Sequence, residues 1–140
     1  MRVRDLMTTY PVSVPPQTSV VDARRTMEDK RIRHLLVTAG GRLVGIVTDR
    51  DIRLNLPSPA TTLSIWELNY LLGKLTVGEV MTKSVIVVDP DREAAEAAVL
   101  MLTEKIGALP VVYGGQLVGI VTESDFLEAF VTASAGAVSQ

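Results

Sequence analysis

The feature that most constrains the fold of this chain is an internal repeat. Residues 40–48 read GGRLVGIVT, and residues 114–122 read GGQLVGIVT, 74 positions later. At that offset, and without a gap, 19 of the 50 residues from position 3 to position 52 are identical. Chance would leave only a handful of identities, so the chain contains two copies of one unit.

Both copies predict the same order of elements. A short apolar stretch and a proline precede a run with helical spacing. Two β-rich runs follow, Leu35–Thr38 and Leu43–Val47 in the first copy, joined by a Gly-Gly pair that suits the positive φ angles of a hairpin turn. A second helix is predicted to start near Asp49 or Glu123. Each copy is therefore a predicted β-α-β-β-α unit, and the chain a predicted α+β protein.

The first helix of each copy has a predicted cap and a predicted buried face. Ser19 with Asp22 forms a capping-box pattern in the first copy, and Asp91 is the predicted cap in the second. The residues expected to face the core are those at helical spacing: Val20, Ala23 and Met27 in the first copy, and Ala94, Ala98 and Met101 in the second.

The repeat also predicts the domain organisation. We expect repeat 1 at residues 1–56, a linker helix at 57–76, repeat 2 at 77–132 and a flexible tail at 133–140. Pro57-Ser58-Pro59 ends any helix there, and Ser64 with Glu67 caps the next. Because one such copy has a small core, the two are expected to bury their sheets against each other about a pseudo-twofold axis, with two related clefts between them.

Composition excludes several classes of function. The chain has no cysteine, so disulfides, thiolate metal sites and cysteine nucleophiles are excluded. A net charge of −2 and 4% aromatic residues disfavour a nucleic-acid or anionic-membrane partner. Because no apolar run could span a bilayer and no apolar stretch near the N-terminus suggests a signal peptide, we expect a cytoplasmic protein.

The strongest candidate site residues come in two equivalent groups, Thr48-Asp49-Arg50-Asp51 and Thr122-Glu123-Ser124-Asp125. Each lies where a predicted strand leads into a helix, and free backbone N–H groups at a helix start favour an anion. The threonine hydroxyl can donate to a phosphate, and the aspartate can accept the hydroxyls of a ribose. The alternative is an ordinary capping box with threonine as N-cap. Repetition strengthens both interpretations equally, so the spacing alone leaves both open.

Motifs of catalysis are absent from the sequence. It has no Gly-x-Ser-x-Gly elbow and no phosphate loop ending in Gly-Lys-Ser or Gly-Lys-Thr. The single histidine, His34, has no cluster of metal ligands at a suitable spacing. We therefore expect neither an enzyme nor a metal site nor a catalytic cofactor.

Several motifs resemble a tandem pair of CBS domains, a Bateman module. They are Asp5-Leu6-Met7-Thr8, Val80-Met81-Thr82, Ala108-Leu109-Pro110-Val111-Val112 and the two Gly-Ile-Val-Thr-x-x-Asp ends. The resemblance covers both copies and leaves out the tail. The linker from Ser58 to Leu75 is similar to the acetoin-utilisation (AcuB-like) branch, whose members often carry a C-terminal ACT domain. We expect no ACT domain in this chain.

The resemblance implies a sensor module that binds an adenosine-bearing ligand and signals to a partner protein. The implied ligands are AMP, ADP or ATP, with S-adenosylmethionine and NAD as further candidates. One implied site combines Thr48 and Asp51 with the first strand of the other copy, where Thr82 lies, and with Ile106, Gly107 and Ala108. The other combines Thr122 and Asp125 with Thr8, Val12, Ser13, Ile32 and Arg33.

The two sites are predicted to differ in charge. Arg33-His34 precedes the strand that leads through the Gly-Gly turn to Thr48, whereas the equivalent Gly107-Ala108 is neutral. By resemblance, basic residues at this place meet the ligand phosphate, so the Thr48 site is expected to bind phosphate more tightly. The alternative is a solvated basic turn in which His34 has no role.

The apolar residues of the linker predict that the chain associates with a second copy. Ile65, Leu68 and Leu72 make an apolar stripe, from which we predict a homodimer. Trp66 and Tyr70 are interpreted as packing over the core or in a dimer contact, with partner binding as the alternative. The alternative function for the whole chain is a ligand-free dimer that acts as an interaction scaffold.

Overall fold

The chain forms two compact units that exchange their starting segments. The computed structural model describes residues 1–56 and 62–138, with side chains to residue 134. The first-copy unit comprises Val12–Val85, and the second-copy unit comprises Met1–Pro11 together with the chain from Ile86 onward. The predicted break at Pro57-Ser58-Pro59 and the end of the predicted tail, residues 139–140, lie outside the described residues.

Helices and strands follow the predicted order in both copies, which confirms the α+β class. In chain order the elements are α1 (Val3–Leu6), β1 (Thr8–Thr9), β2 (Ser13–Val14), α2 (Val20–Lys30), β3 (His34–Ala39), β4 (Arg42–Thr48), α3 (Asp49–Leu54), α4 (Ile65–Lys74), α5 (Val77–Val80), α6 (Ala94–Glu104), β5 (Ala108–Tyr113), β6 (Gln116–Thr122) and α7 (Glu123–Val138).

Each unit is built on an antiparallel hairpin, as predicted. The sheet of the first-copy unit has the order β2-β3-β4, and that of the second-copy unit has the order β1-β6-β5. Gly40 and Gly41 have φ angles of 59° and 79°, and Gly114 and Gly115 have 59° and 78°. A residue with a Cβ is strained in this region, so the Gly-Gly pairs make both tight turns possible.

Helices α2 and α6 bury equivalent faces but begin differently. Val20, Ala23 and Met27 are buried, and Ser19 Oγ accepts a 3.1 Å hydrogen bond from the Asp22 N–H, as predicted.

The prediction for α6 was wrong at two residues. The N-cap is Glu93, the equivalent of Ser19, and Asp91 instead forms ion pairs with Arg2 and Arg4. Because the helix starts at Ala94, the buried position one turn later is Ala97 rather than Ala98.

The start of each copy packs in the unit of the other copy. Val3 is fully buried in the second-copy unit, and its N–H donates a 2.9 Å hydrogen bond to the Arg92 carbonyl oxygen. The equivalent Val77 is fully buried in the first-copy unit, and its N–H donates to the Thr18 carbonyl oxygen at 2.8 Å. The boundaries of the two sequence repeats, at 1–56 and 77–132, therefore differ from the boundaries of the two compact units.

The linker and the last helix complete the fold. The predicted linker contains α4, where Ser64 Oγ accepts a hydrogen bond from the Glu67 N–H at 3.2 Å. Helix α7 continues to Val138, beyond the predicted start of the tail at Ala133, because its alanines favour helix. None of the described helices combines the length and apolar character that crossing a membrane requires.

Candidate functional site

Two strand-to-helix corners carry the predicted threonine–aspartate pairs. Thr48 ends β4 and is the N-cap of α3, with extended backbone angles of φ −119° and ψ 165°. Thr122 ends β6 immediately before α7. All four side chains of the two pairs are half-buried. The duplication has therefore produced the same local arrangement twice, once in each unit.

The first corner is closed by a capping box. The N–H and the hydroxyl of Thr48 donate to the same atom, Asp51 Oδ2, at 2.9 and 3.0 Å. In return the N–H of Asp51 donates to Thr48 Oγ1 at 3.2 Å. The capping interpretation of this motif is therefore confirmed for the first copy.

The carboxylate of Asp51 nevertheless keeps an unused acceptor. Both hydrogen bonds from Thr48 end on Oδ2, and Oδ1 has no hydrogen-bond partner among the described residues. A carboxylate oxygen can accept two hydrogen bonds. Capping and ligand binding are therefore compatible, because they use different oxygens of one side chain.

The second corner repeats this geometry. Asp125 Oδ2 accepts from the N–H of Thr122 at 2.8 Å and from its hydroxyl at 3.2 Å. Within the described part of the chain, Asp125 Oδ1 likewise has no hydrogen-bond partner. Each threonine has only one hydroxyl proton, and it points to the aspartate. Donation to a phosphate, which the sequence suggested for this hydroxyl, would require that bond to break.

The residues opposite the two threonines differ in charge. His34 pairs with Thr48 across the β3–β4 hairpin, and Arg33 precedes it with an exposed side chain. In the second-copy unit Ala108 pairs with Thr122, and the carbonyl oxygen of Gly107 accepts a 3.1 Å hydrogen bond from the Glu123 N–H. The structure thus confirms that Arg33-His34 lies at the Thr48 end of its hairpin.

The remaining predicted site residues are divided between the units. Thr82 exchanges two backbone hydrogen bonds with Ile46 of β4, at 2.9 and 3.1 Å, and Thr8 pairs with Ile120 of β6. Val12, Ser13 and Ile32 belong to the first-copy unit with Thr48. Ile106, Gly107 and Ala108 belong to the second-copy unit with Thr122. The combination of residues from both copies in one site stays a prediction.

Two methionines support the corner strands, and the sequence reasoning assigned them no role. A Cβ on Gly45 would overlap the Met81 side chain, and a Cβ on Gly119 would lie 2.8 Å from the Thr8 carbonyl oxygen and 2.9 Å from Met7 Sδ. The signal was present in the sequence, since Met7, Met81 and both glycines recur at the repeat offset. These glycines let the exchanged segments approach β4 and β6 closely.

A metal site has no support in the described residues. No group of three or more histidine, aspartate or glutamate side chains is placed there to hold an ion. The corners instead offer carboxylate oxygens as hydrogen-bond acceptors. Such an arrangement can bind a polyhydroxylated ligand.

The family follows from comparison with known proteins. The CBS-domain family profile matches residues 3–58 and 77–132, which is most of the chain. The chain belongs to the CBS-domain family. The match to both copies confirms the predicted tandem CBS pair. The chain is also 39% identical over 124 residues to the inosine-5'-monophosphate dehydrogenase of Korarchaeum cryptofilum, with 88% of the chain covered but only 22% of that protein.

Solved structures of similar CBS proteins extend the comparison. A Vibrio cholerae protein described as an acetoin utilization protein (AcuB) is 31% identical, with a TM-score of 0.83 and coverage of 100% of this chain and 97% of that one. CBSX2, solved in complex with AMP, is 36% identical, with a TM-score of 0.78 and coverage of 94% and 97%. The CBS pair of MJ0100, solved with 5-methylthioadenosine and S-adenosyl-L-methionine, is 27% identical, with a TM-score of 0.78 and coverage of 95% and 98%.

Proposed function

We propose that this CBS pair is a regulatory module that binds an adenosine-bearing ligand and signals its presence to a partner protein. The observation that carries the proposal is the doubled corner, in which one aspartate oxygen accepts from the threonine and the other has no hydrogen-bond partner among the described residues. Asp51 Oδ1 and Asp125 Oδ1 are the proposed acceptors for ribose hydroxyls.

The ligands of similar proteins support the adenosine part of the proposal. AMP, 5-methylthioadenosine and S-adenosyl-L-methionine share adenosine, but only AMP has a phosphate. A ribose contact at an aspartate is compatible with all three. We therefore propose AMP, ADP or ATP as the ligand, with S-adenosylmethionine and NAD as further candidates.

We further propose that the Thr48 corner is the stronger site for phosphate. Helix α7 is longer than α3, at sixteen residues against six, so a helix-end effect of about 0.3–1 kcal/mol favours the other corner. A guanidinium bonded to phosphate contributes about 1.5–3 kcal/mol, which is the larger effect. Because its neighbour His34 pairs with Thr48, we assign Arg33 to the Thr48 corner rather than to the Thr122 site that the resemblance implied. On this assignment Arg33 decides the preference in favour of the Thr48 corner.

Two finer features belong to the same proposal. We propose a homodimer, because large apolar side chains such as Trp66 on α4, Leu102 on α6 and Phe130 on α7 are exposed in the described part of the chain. Light scattering should then give twice the 15.1 kDa mass of the chain at micromolar concentration, and a monomer mass contradicts the homodimer. Location in the cytoplasm and the absence of catalysis stay predictions.

The competing function is that of a ligand-free scaffold, which the same exposed apolar side chains favour. Thermal unfolding with AMP, ADP, ATP, S-adenosylmethionine or NAD distinguishes the two. A ligand at 100 times its Kd stabilises the folded state by about 2.7 kcal/mol and raises the Tm measurably. Stabilisation by at least one of the five supports the sensor, and no stabilisation by any of them supports the scaffold.

A further inference from the structure

The linker helix α4 has an apolar face that points away from its own unit. Its inward face is formed by Leu68 and Leu72, which are half-buried, and Leu72 packs against the core of the first-copy unit. On the other side Trp66, Tyr70 and Leu71 are 80%, 63% and 46% exposed. The structure therefore corrects two expectations. Of the predicted dimer stripe, Leu68 and Leu72 face inward, whereas Ile65 is exposed. Trp66 and Tyr70 do not pack over the core, so a dimer contact and partner binding are the interpretations that stay open for them.

A shallow groove of about 400 Å³ runs along the outward face. It is lined by Leu63, Trp66, Glu67, Tyr70 and Leu71, so its wall is apolar and aromatic apart from one carboxylate. Aromatic side chains are enriched at the centres of protein interfaces because they bury large areas with few rotatable bonds.

The charges on this face indicate what covers it. Glu67 lies in the first turn of α4 and Lys74 at its last residue, so the outward face is negative at one end and positive at the other. Lys74 Nζ lies 4.3 Å from the centre of the Tyr70 ring, which keeps the cation on this face. A second α4 lying antiparallel would set Lys74 of each copy against the Glu67 end of the other. A parallel α4 would set like charges together.

We propose that α4 is a self-association surface on which a second copy of this chain places its own α4 antiparallel. A twofold axis near Tyr70 makes the surface self-complementary, since each contact then occurs twice. The aromatic groove fills the centre, and two Glu67–Lys74 pairs flank it. The inference gives a surface to the proposed homodimer and does not depend on nucleotide binding.

Charge reversal tests the pairing without removing the apolar contacts. The Lys74→Glu variant has two negative charges on this face, and the Glu67→Lys variant has two positive charges. Each variant alone is expected to associate at least about tenfold more weakly than the wild type. An equal mixture of the two is expected to associate again, because an antiparallel heterodimer restores both opposite-charge pairs. Asp29→Lys, which reverses an exposed charge on α2, is the matched control and should associate like the wild type.

Trp66 supplies a readout confined to α4, because it is the only tryptophan in the sequence. Its emission should shift to shorter wavelength, and its acrylamide quenching should fall, as the wild-type concentration rises. Both changes should be lost in each single variant and should return in the mixture. Light scattering on the same samples gives the mass. A dimer in which Trp66 stays open to quencher overturns the α4 surface but keeps the homodimer. A monomer overturns both, and a mixture that fails to recover overturns the antiparallel arrangement.

Discussion

At the scale of single residues, the two oxygens of one aspartate have different roles. Oδ2 of Asp51 closes the capping box, and Oδ1 is the proposed ligand contact. For this reason the Thr-x-x-Asp spacing could not separate a cap from a site. The sequence predicted which residues meet at the corner, but only atomic positions show which oxygen is engaged.

Arg33 is expected to bind the phosphate of the ligand and to contribute little to the binding of its adenosine part. The Arg33→Ala variant should bind AMP about ten- to a hundredfold more weakly, because a charge-assisted bond worth about 1.5–3 kcal/mol is lost. Its affinity for adenosine, which has no phosphate, should hardly change. Calorimetry with both ligands measures the difference. Arg42→Ala, at the turn end of the same hairpin, is the control and should leave both affinities unchanged. Equal losses for AMP and adenosine in Arg33→Ala would show that Arg33 does not contact the phosphate.

At the scale of elements, the central glycines of β4 and β6 limit how the sheets can be changed. A Cβ at Gly119 first meets a backbone oxygen, that of Thr8, whereas a Cβ at Gly45 first meets the flexible Met81 side chain. Gly119→Ala should therefore destabilise the fold by about 1–3 kcal/mol, and Gly45→Ala by less. Urea denaturation measures both values. The steric explanation fails if Gly45→Ala is the more damaging change.

Local elements could be predicted from the sequence more fully than the packing between them. The Gly-Gly hairpins, the Ser19 and Ser64 caps and the buried face of α2 follow from neighbouring residues. Asp91 is not a cap because α6 starts only at Ala94. Its carboxylate instead pairs with Arg2 and Arg4, almost ninety residues away in the sequence. Contacts between residues so far apart in the sequence leave no local sequence pattern. For the same reason, the exchange of the starting segments between the two units could not be predicted from the sequence.

At the scale of the whole molecule, the exchange predicts an unexpected pattern of mutational damage. Val3→Ala and Val77→Ala each remove buried carbon equivalent to about two methylene groups, worth about 1.6 kcal/mol or more. Val3→Ala should speed hydrogen exchange first in β5 and β6 of the second-copy unit. Val77→Ala should speed it first in β3 and β4 of the first-copy unit. If Val3→Ala instead sped hydrogen exchange first in β3 and β4, and Val77→Ala first in β5 and β6, the assignment of these segments to the units would be wrong.

The central claim, that Asp51 and Asp125 hold an adenosine nucleotide, is tested most directly by calorimetric titration of AMP into the wild type and two double variants. Asp51→Ala with Asp125→Ala removes both carboxylates and the hydrogen bonds that they accept from Thr48 and Thr122. The loss costs about 1 kcal/mol at each corner. Asp51→Asn with Asp125→Asn keeps an oxygen for each cap but replaces the second oxygen by an amide. We expect saturable AMP binding to the wild type, no detectable binding to the folded alanine variant and at least about tenfold weaker binding to the asparagine variant. AMP affinity equal to that of the wild type in both folded variants would contradict the account.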